Sequence, residues 1–275
     1  MAGFTFMLAP MEDMTSNAFR ALCHRYGADL TFTEMVRVGA LAINNRNTWS
    51  RIEFRDDTPT VIQLIGSNEQ HFSRFLGMFE PANGFRGFNL NLGCPSPEVV
   101  KLGQGCAMVR KVSKTARIAA LIRNRGFPFS IKMRLGMNSN DKEYKVYLKI
   151  INAVDADFYV VHARHGLQTY AHPADFGVYE ECARNGKAII ANGDISTIEQ
   201  VERLKGMGVR GVMIGRAAVI DPTIFNKLKG LPGRDTKSMQ EEYLALSDRF
   251  GEPPKYRNSV LRRMGNRDMK NFDRE

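Results

Sequence analysis

The 275 residues are enough for one large α/β domain with its own core. Hydrophobic residues make up 43% and charged residues 25%, and no apolar run approaches the roughly 20 residues that cross a bilayer. This composition excludes a disordered chain and predicts a folded protein without a membrane span. The net charge of +10 favours a polyanionic partner such as nucleic acid, or reflects only a basic solvated surface.

The N-terminal stretch MAGFTFMLAPMEDM has no basic segment, and its apolar part contains threonine and proline, so we expect no signal peptide. The cysteines show neither CxxC pairs nor histidines at zinc spacing. They are Cys23, Cys94, Cys106 and Cys182. We therefore expect no disulfide framework and no metal site, and the predicted compartment is a reducing cytoplasm.

Eight short apolar runs alternate with amphipathic stretches along the chain. Near-continuous apolar runs are typical of parallel strands that are covered on both faces. The predicted strands are residues 5–11, 30–36, 60–66, 87–93, 129–136, 158–165, 188–195 and 211–217. Eight such units predict a (β/α)8 TIM barrel over residues 1–230. A doubly wound sheet is the alternative, and it fits less well because the first βα turn, APMEDMTS, has no GxGxxG.

Helical signals are clearest after the third and seventh strands and near the C-terminus. Residues 72–79 carry phenylalanine and leucine at i, i+3, i+4 and i+7 spacing, and Ser196 with Glu199 has the spacing of a capping box. Ser238 and Glu241 offer another box for a helix that runs to about Phe250, where Gly-Glu-Pro-Pro ends it. The basic stretch 235–275 is therefore predicted to be a short helical appendage.

Polar residues gather at the predicted carboxyl ends of the strands, where TIM barrels form their active sites. Each residue alone is more simply explained as a hydrogen-bonded buried group, and Cys94 alone as a small core hydrophobe. Eight strand ends of this kind, with so little polarity within the strands, indicate a site. In strand order the residues are Pro10 and Met11, Glu34, Gln63, Asn89, Asn91 and Cys94, Lys132 and Arg134, His162 and Arg164, Asn192, Gly193 and Asp194, and Gly215 and Arg216.

The chemistry of these strand ends favours a flavin. The loops after the last two strands, NGD and IGRA, supply glycines where a phosphate approaches backbone N–H groups, and Arg216 adds a cation. Lys132 and His162 lie on neighbouring strands, where a cation suits a cofactor that gains negative charge on reduction. Gln63 has the donors and acceptor that a flavin ring edge requires. A phosphate at one end and a cation at the ring indicate FMN, because FAD requires a second nucleotide pocket for which no motif is visible.

With a flavin present, Cys94 gains a second interpretation. Hydride addition to one end of a polarised C=C bond leaves the adjacent carbon in need of a proton, and a thiol across the substrate is a suitable general acid. The C5=C6 bond of a pyrimidine is such an alkene, with hydride arriving at C6 and the proton at C5.

At these residues the chain closely resembles the tRNA-dihydrouridine synthase family, from residue 8 to residue 225. The most specific match is NLNLGCPSPEVVKLGQGCAMV at 89–109, the catalytic-cysteine signature of that family. SIKMRLG, VVHARHGLQTYAHPADF and IIANGDI match in the right order and spacing. The resemblance implies an FMN-dependent (β/α)8 enzyme that reduces particular uridines in tRNA, with NADPH as electron donor.

The resemblance also implies a role for each residue that matches a motif. Cys94 is the proton donor to C5. The FMN ring is assigned to Pro10, Met11, Gln63, Lys132 and His162. The ribityl chain and phosphate are assigned to Asn192, Gly193, Asp194, Gly215 and Arg216. The uridine, which must leave the base stack, is assigned to Glu34, Asn91 and Arg164.

The chain departs from the family pattern at two points. His165 follows Arg164 where the family usually reads HxRT, and only residues 235–275 remain for a C-terminal domain that is usually larger. The target uridine is therefore not predicted. The sequence also does not predict whether NADPH is preferred over NADH, and a monomer is the expected oligomeric state.

Two other functions stay open. One is an FMN barrel that acts on a free pyrimidine or a small enone, which has no need of a basic surface. The other is a non-enzymatic RNA-binding protein, which predicts loss of the cysteine or of the flavin cation, and both are present.

Overall fold

Parallel strands alternate with helices along the chain, as the apolar runs predict. The structure is a computed structural model and describes residues 3–184 and 186–266. In that part of the chain the strands are β1 Thr5–Leu8, β2 Thr31–Phe32, β3 Val36–Arg37, β4 Thr60–Ile65, β5 Phe85–Leu92, β6 Phe129–Arg134, β7 Phe158–His162, β8 Ile189–Asn192 and β9 Gly211–Ile214. Each predicted strand is found, although most end a few residues earlier than the apolar runs.

The predicted strand 30–36 consists of two short pieces, β2 and β3. Between them the Thr33 hydroxyl accepts a hydrogen bond from the backbone N–H of Gln63 at 3.0 Å. A side-chain oxygen thus takes the place of a backbone carbonyl in the ladder with β4, and the strand pairing is interrupted there.

The strands form one parallel sheet that curves into a nearly closed barrel. Its order is β1-β9-β8-β7-β6-β5-β4-β2, and β3 also pairs with β4. Between β1 and β2 the gap is bridged at Met7 and Leu30, where the Leu8 N–H donates to the Leu30 carbonyl at 2.9 Å. This confirms the (β/α)8 barrel and rules out the doubly wound sheet.

Helices pack around the barrel and extend past it. They are α1 Asn17–Arg25, α2 Val38–Ala42, α3 Arg46–Ser50, α4 Glu69–Leu76, α5 Pro97–Lys101, α6 Val112–Arg123, α7 Ser139–Glu143, α8 Val146–Ala153, α9 Val178–Ala183, α10 Ile198–Gly206, α11 Arg216–Ile220, α12 Ile224–Leu228, α13 Thr236–Phe250 and α14 Pro254–Arg263, with a 3₁₀ helix at Gly105–Arg110. None of the helices in the described ranges is long and apolar enough to cross a membrane.

Two helix starts differ from the capping boxes that the sequence predicts. In α10 the box is formed by Thr197 and Gln200, because the Gln200 side chain also reaches back to donate to the Asp194 carbonyl at 3.0 Å. A glutamate has no N–H for that bond, so Glu199 does not take this role. In α13 the cap is Asp235, which accepts from the Ser238 N–H at 2.9 Å. The predicted end at Gly251 is confirmed, in a left-handed conformation with φ of +62°.

The barrel interior changes from apolar to polar along the strands. Alternate residues of a strand face the same side, so Val61 and Gln63 share the interior, as do Ile190 and Asn192. The buried interior cluster at the amino ends of the strands includes Met7, Phe32, Val61, Phe158, Val160, Ile190 and Met213. On these strands the polar side chain therefore lies nearer the carboxyl end, which is the barrel mouth.

The C-terminal helices fold back onto the barrel. On α13 the Tyr243 ring lies 6.3 Å from the Phe19 ring of α1, and Glu252 accepts bonds from the Ala18 N–H and the Ser16 hydroxyl at 2.8 and 2.7 Å. These contacts lead α14 towards the mouth. The helical character predicted for 235–275 is confirmed up to 263, residues 267–275 lie outside the described ranges, and the domain division itself stays a prediction.

Candidate active site

Three amide side chains of β4 and β5 form a hydrogen-bonded ladder inside the mouth. Gln63 Nε2 donates to Asn89 Oδ1 at 2.8 Å, and Asn91 Nδ2 donates to Gln63 Oε1 at 2.9 Å. Asn89 Nδ2 in turn donates to the Ser130 hydroxyl at 2.9 Å. Gln63 and Asn89 are buried, so each amide is held in one orientation by its neighbours.

The ladder also positions the loop that carries Cys94. Asn91 Oδ1 accepts from the N–H groups of both Gly93 and Cys94 at 2.9 Å, which turns the chain sharply where β5 ends. The Cys94 carbonyl accepts from the Cys106 N–H at 3.0 Å. Gly105 lies against the same carbonyl with φ of +55°, and a β-carbon there would approach it to 2.4 Å. Cys94 is therefore half-buried at the rim of the mouth, on a loop held from both sides.

Cys106 is a second thiol beneath this loop. It is fully buried, and its Sγ donates to the Gly93 carbonyl at 3.1 Å. Burial raises the pKa of the Cys106 thiol to about 12, so it remains protonated and supports the turn. The two cysteines of the signature thus differ: one is open to the mouth, and the other is part of the core.

Lys132 brings a positive charge to the same region. It lies on β6 opposite Asn91 in the strand register. Burial and the nearby Arg134 lower the pKa of Lys132 to about 8. Its ammonium has no hydrogen-bond or ion-pair partner among the described residues, whereas Arg134 donates to the carbonyls of His165 and Gln168 at 3.0 Å. Lys132 is therefore a half-buried cation without a counter-charge among the described residues.

The other side of the mouth, at β7 to β9, holds a closed ion-pair network around Asp194. Arg164 is 1% exposed and donates to Asp194 Oδ2 at 2.5 Å and to the His172 carbonyl at 2.7 Å. Arg216 donates to Asp194 Oδ1 at 2.9 Å, and its guanidinium lies 3.8 Å from the centre of the Tyr170 ring. Both arginines thus share one carboxylate.

His162 lies at the base of this network. Burial and the surrounding cations hold the pKa of His162 well below its usual value, so its ring is neutral. Because a guanidinium only donates, the ring nitrogen Nε2 accepts from Arg164 Nη1 at 3.1 Å. Gly193, with φ of +115°, lies beside the ring, and a β-carbon there would approach His162 Cδ2 to 2.8 Å. Glycine is therefore required at this position, because the His162 ring already occupies the space that a side chain would need.

Glu34 closes the remaining edge of the mouth and connects it to the C-terminal helices. Its buried carboxylate accepts from the Tyr256 hydroxyl of α14 and from the Asp13 N–H at 3.2 Å, and it pairs with Arg51 at 3.7 Å. Lys255 of α14 pairs with Asp13 at 2.7 Å. The tail is thus anchored to the rim of the barrel through side chains of α14.

With this geometry described, a comparison with known families becomes informative. The family model of dihydrouridine synthase (Dus) matches residues 7–252, most of the chain. The chain belongs to the dihydrouridine synthase family. This membership confirms the resemblance that the cysteine signature carries.

Individual relatives agree with that membership. A probable tRNA-dihydrouridine synthase of Rickettsia conorii is 30% identical over 262 residues, which cover 90% of this chain and 79% of that protein. The tRNA-dihydrouridine synthase B of Xanthomonas campestris is 29% identical over 226 residues, 81% of this chain and 68% of that protein. A human protein named tRNA-dihydrouridine(47) synthase [NAD(P)(+)]-like is 27% identical over 227 residues, 81% of this chain and 35% of that protein.

The structure brings the predicted site residues together at one end of the barrel, while the role of each stays a prediction. Pro10, Met11 and Gly215 belong to the exits of β1 and β9, where Gly215 lies beside the Met11 sulfur. Sequence reasoning missed Tyr170 and Tyr256 as members of the rim. Tyr170 lies within the motif VVHARHGLQTYAHPADF and was available as a signal, whereas nothing near Tyr256 in the sequence points to the mouth.

Proposed function

We propose that this protein reduces the C5=C6 bond of particular uridines in tRNA to dihydrouridine, with FMN as cofactor and NADPH as electron donor. Membership of the family and the tRNA in the names of the relatives support the reaction and the substrate. The NAD(P) in the name of the human relative supports a nicotinamide donor. The observation that carries the proposal is the half-buried cation Lys132, which has no counter-charge among the described residues and lies opposite Asn91, the anchor of the Cys94 loop, in the strand register.

One feature of the mouth fits a flavin. The ammonium of Lys132 is half-buried and has no counter-charge among the described residues, and such a cation is stabilised by an anionic ligand. The ring of the flavin would be held by Pro10, Met11, Gln63, Lys132 and His162. The ribityl chain and phosphate would be held by Asn192, Gly193, Asp194, Gly215 and Arg216.

When bound, FMN supplies the hydride for C6 of the uracil ring. Cys94 then gives its thiol proton to C5, and the loop that Asn91 holds by two N–H bonds keeps the thiol at the rim where the base enters. Asn91 uses one amide N–H on Gln63 and would offer the other to the base, which would also meet Glu34 and Arg164.

The wider organisation of the protein is part of the proposal. Residues 1–230 form the catalytic domain, and 235–275 form a reduced region for tRNA recognition. We also propose that the protein acts as a monomer in the cytoplasm, where its four free thiols persist. The alternative substrate, a free pyrimidine or small enone, is less well supported because the relatives are named for tRNA and the surface is strongly basic.

A direct assay tests the reaction. The purified protein is incubated with FMN, NADPH and unmodified tRNA, and the tRNA is digested with nucleases and analysed by mass spectrometry. We expect one fragment to gain the mass of two hydrogens, which also identifies the target uridine. No gain in any fragment, with the flavin bound and reducible, would reject tRNA as the substrate and direct the assay to free pyrimidines.

A further inference from the structure

Of the residues that line a groove beside Cys94, only Cys94 itself has a role assigned above. It has a volume of 340 Å³ and runs from the Cys94 loop to β3 and the two helices that follow it. That volume is at the lower end of the roughly 300–1,000 Å³ typical of ligand pockets. Val36 and Val99 supply buried apolar surface in its wall, and Arg37 and Ser96 supply polar groups.

The charges in this groove are not balanced. Glu12 and Arg51, which both line it, pair with each other at 3.2 Å. Arg37 is exposed, and its guanidinium has no hydrogen-bond or ion-pair partner among the described residues. Its backbone is fixed by the pairing of β3 with β4, opposite Ile65. The Ser96 hydroxyl likewise has no partner in the described chain, so the groove presents one free cation and one free hydroxyl.

The chemistry of uridine indicates what lies in such a groove. In uracil C5 is bonded to C6, and C6 is bonded to N1, which carries the ribose. A thiol that protonates C5 therefore lies near the edge of the ring at which the sugar-phosphate backbone leaves. Since Cys94 is that thiol in the proposed reaction and lines the groove, the groove starts where the backbone emerges.

We propose that this groove holds the backbone of a nucleotide that flanks the target uridine, with Arg37 contacting its phosphate. The inference rests on the proposed function, because it takes Cys94 as the proton donor and tRNA as the substrate. Arg37 is then a positioning residue, since it holds the strand and does not touch the reacting carbons.

Salt-dependent tRNA binding tests the charge contact. We expect Arg37→Ala to weaken binding about five- to tenfold at low salt and to reduce the slope of log K against log salt by about 0.7–0.9, the value for one phosphate. Arg37→Lys keeps the charge and should keep the slope. Arg210→Ala removes an equally exposed arginine at the amino end of β9, opposite the mouth, and should change neither quantity.

A second measurement tests where the contact lies. Once the target uridine is known, tRNA is prepared with one neutral methylphosphonate at the phosphate on either side of it. At one of these positions the methylphosphonate should raise the KM of the wild-type protein by the same factor by which Arg37→Ala raises the KM for fully charged tRNA. The same methylphosphonate should not raise the KM of Arg37→Ala any further. Flavin content and the rate of flavin reduction by NADPH should be unchanged in Arg37→Ala and in Arg37→Lys.

The outcomes separate this inference from the proposed function. If wild-type protein makes dihydrouridine and Arg37→Ala behaves as Arg210→Ala, the groove assignment is wrong while the reaction stands. The groove assignment is also overturned if Arg37→Ala lowers kcat but leaves tRNA binding unchanged. It is likewise overturned if the methylphosphonate raises the KM of the wild-type protein and of Arg37→Ala by the same factor. If tRNA binds in an Arg37-dependent way but no dihydrouridine forms, the groove contact holds and the proposed reaction fails.

Discussion

The two sides of the barrel mouth differ in whether their charged groups are paired within the protein. On β4 to β6, the amide side consists of Gln63, Asn89 and Asn91 with Cys94 and Lys132, and it presents a thiol and a cation that have no partner in the described chain. On β7 to β9, the ion-pair side consists of Arg164, Tyr170, Asp194 and Arg216 around a neutral His162. There the Asp194 carboxylate is shared by both arginines.

This difference separates groups that have no partner in the described chain from groups whose charges are already paired within it. A partly desolvated cation without a counter-charge is unfavourable, so Lys132, which is half-buried, is best explained by a ligand that supplies negative charge. Asp194 already compensates Arg164 and Arg216, so their network keeps the loops after β7, β8 and β9 in place before any ligand binds. Substitutions at four positions, two of them with a control variant elsewhere in the chain, test this separation.

The largest effect is expected at the thiol of the amide side. Cys94→Ala should lower the rate of dihydrouridine formation by about 10²–10⁴-fold, because the proton donor to C5 is lost, while flavin binding persists. Turnover is measured by mass spectrometry of tRNA fragments and flavin by absorbance. Cys23→Ala, which removes a buried thiol of α1 behind the barrel wall, should keep its turnover. More than about a tenth of wild-type turnover in Cys94→Ala would contradict the general-acid role.

The next effect is on stability, at the centre of the ion-pair side. Asp194→Ala leaves the buried guanidinium of Arg164 without its carboxylate, so the free energy of unfolding should fall by about 3 kcal/mol in a urea titration. Asp155→Ala is the matched control, because it removes a mostly exposed carboxylate that pairs with Arg123, and it should cost less than about 1 kcal/mol. Equal losses in the two variants would show that the network is not a structural frame.

The charge of Lys132 should be visible in the pH dependence of flavin binding. Its pKa of about 8 in the flavin-free protein means that the ammonium is charged below pH 8 and neutral above it. FMN affinity, measured by fluorescence titration, should therefore fall as the pH rises through about 8. Lys132→Arg should remove that dependence because a guanidinium stays charged, and Lys132→Ala should bind about tenfold more weakly at pH 7. A wild-type affinity independent of pH would reject Lys132 as the flavin cation.

The smaller of the two effects on stability is expected where the tail meets the rim. Tyr256→Phe removes one hydrogen bond to the Glu34 carboxylate, which keeps Arg51 and the Asp13 N–H, so unfolding should become easier by about 1.5 kcal/mol. The urea titration used for Asp194→Ala measures this as well. A loss as large as that of Asp194→Ala would mean that the tail, too, is part of the frame.

The periodicity of apolar residues was sufficient to predict the barrel, because strands covered on both faces are apolar along their whole length. The polar residues at the strand ends were predictable for a related reason: parallel strands bring all their carboxyl ends to one edge. Lys132, His162 and Cys94 were placed at this edge in this way, without any knowledge of their distances, while their roles stay predictions. Local pattern alone misplaced the start of α10, because the choice of Thr197 over Ser196 depends on the bond of Gln200 to Asp194.

The sequence by itself determined the fold, the family and the composition of the mouth. Only the tertiary structure decided which charges are paired and which are free. Arg164 and Lys132 both occur at strand ends, yet one has a carboxylate that lies 30 positions along the chain, and the other has none in the described residues. The Tyr256–Glu34 contact, which spans 222 positions, is of the same kind. Such pairings arise from packing between distant segments, and no local pattern of residues encodes them.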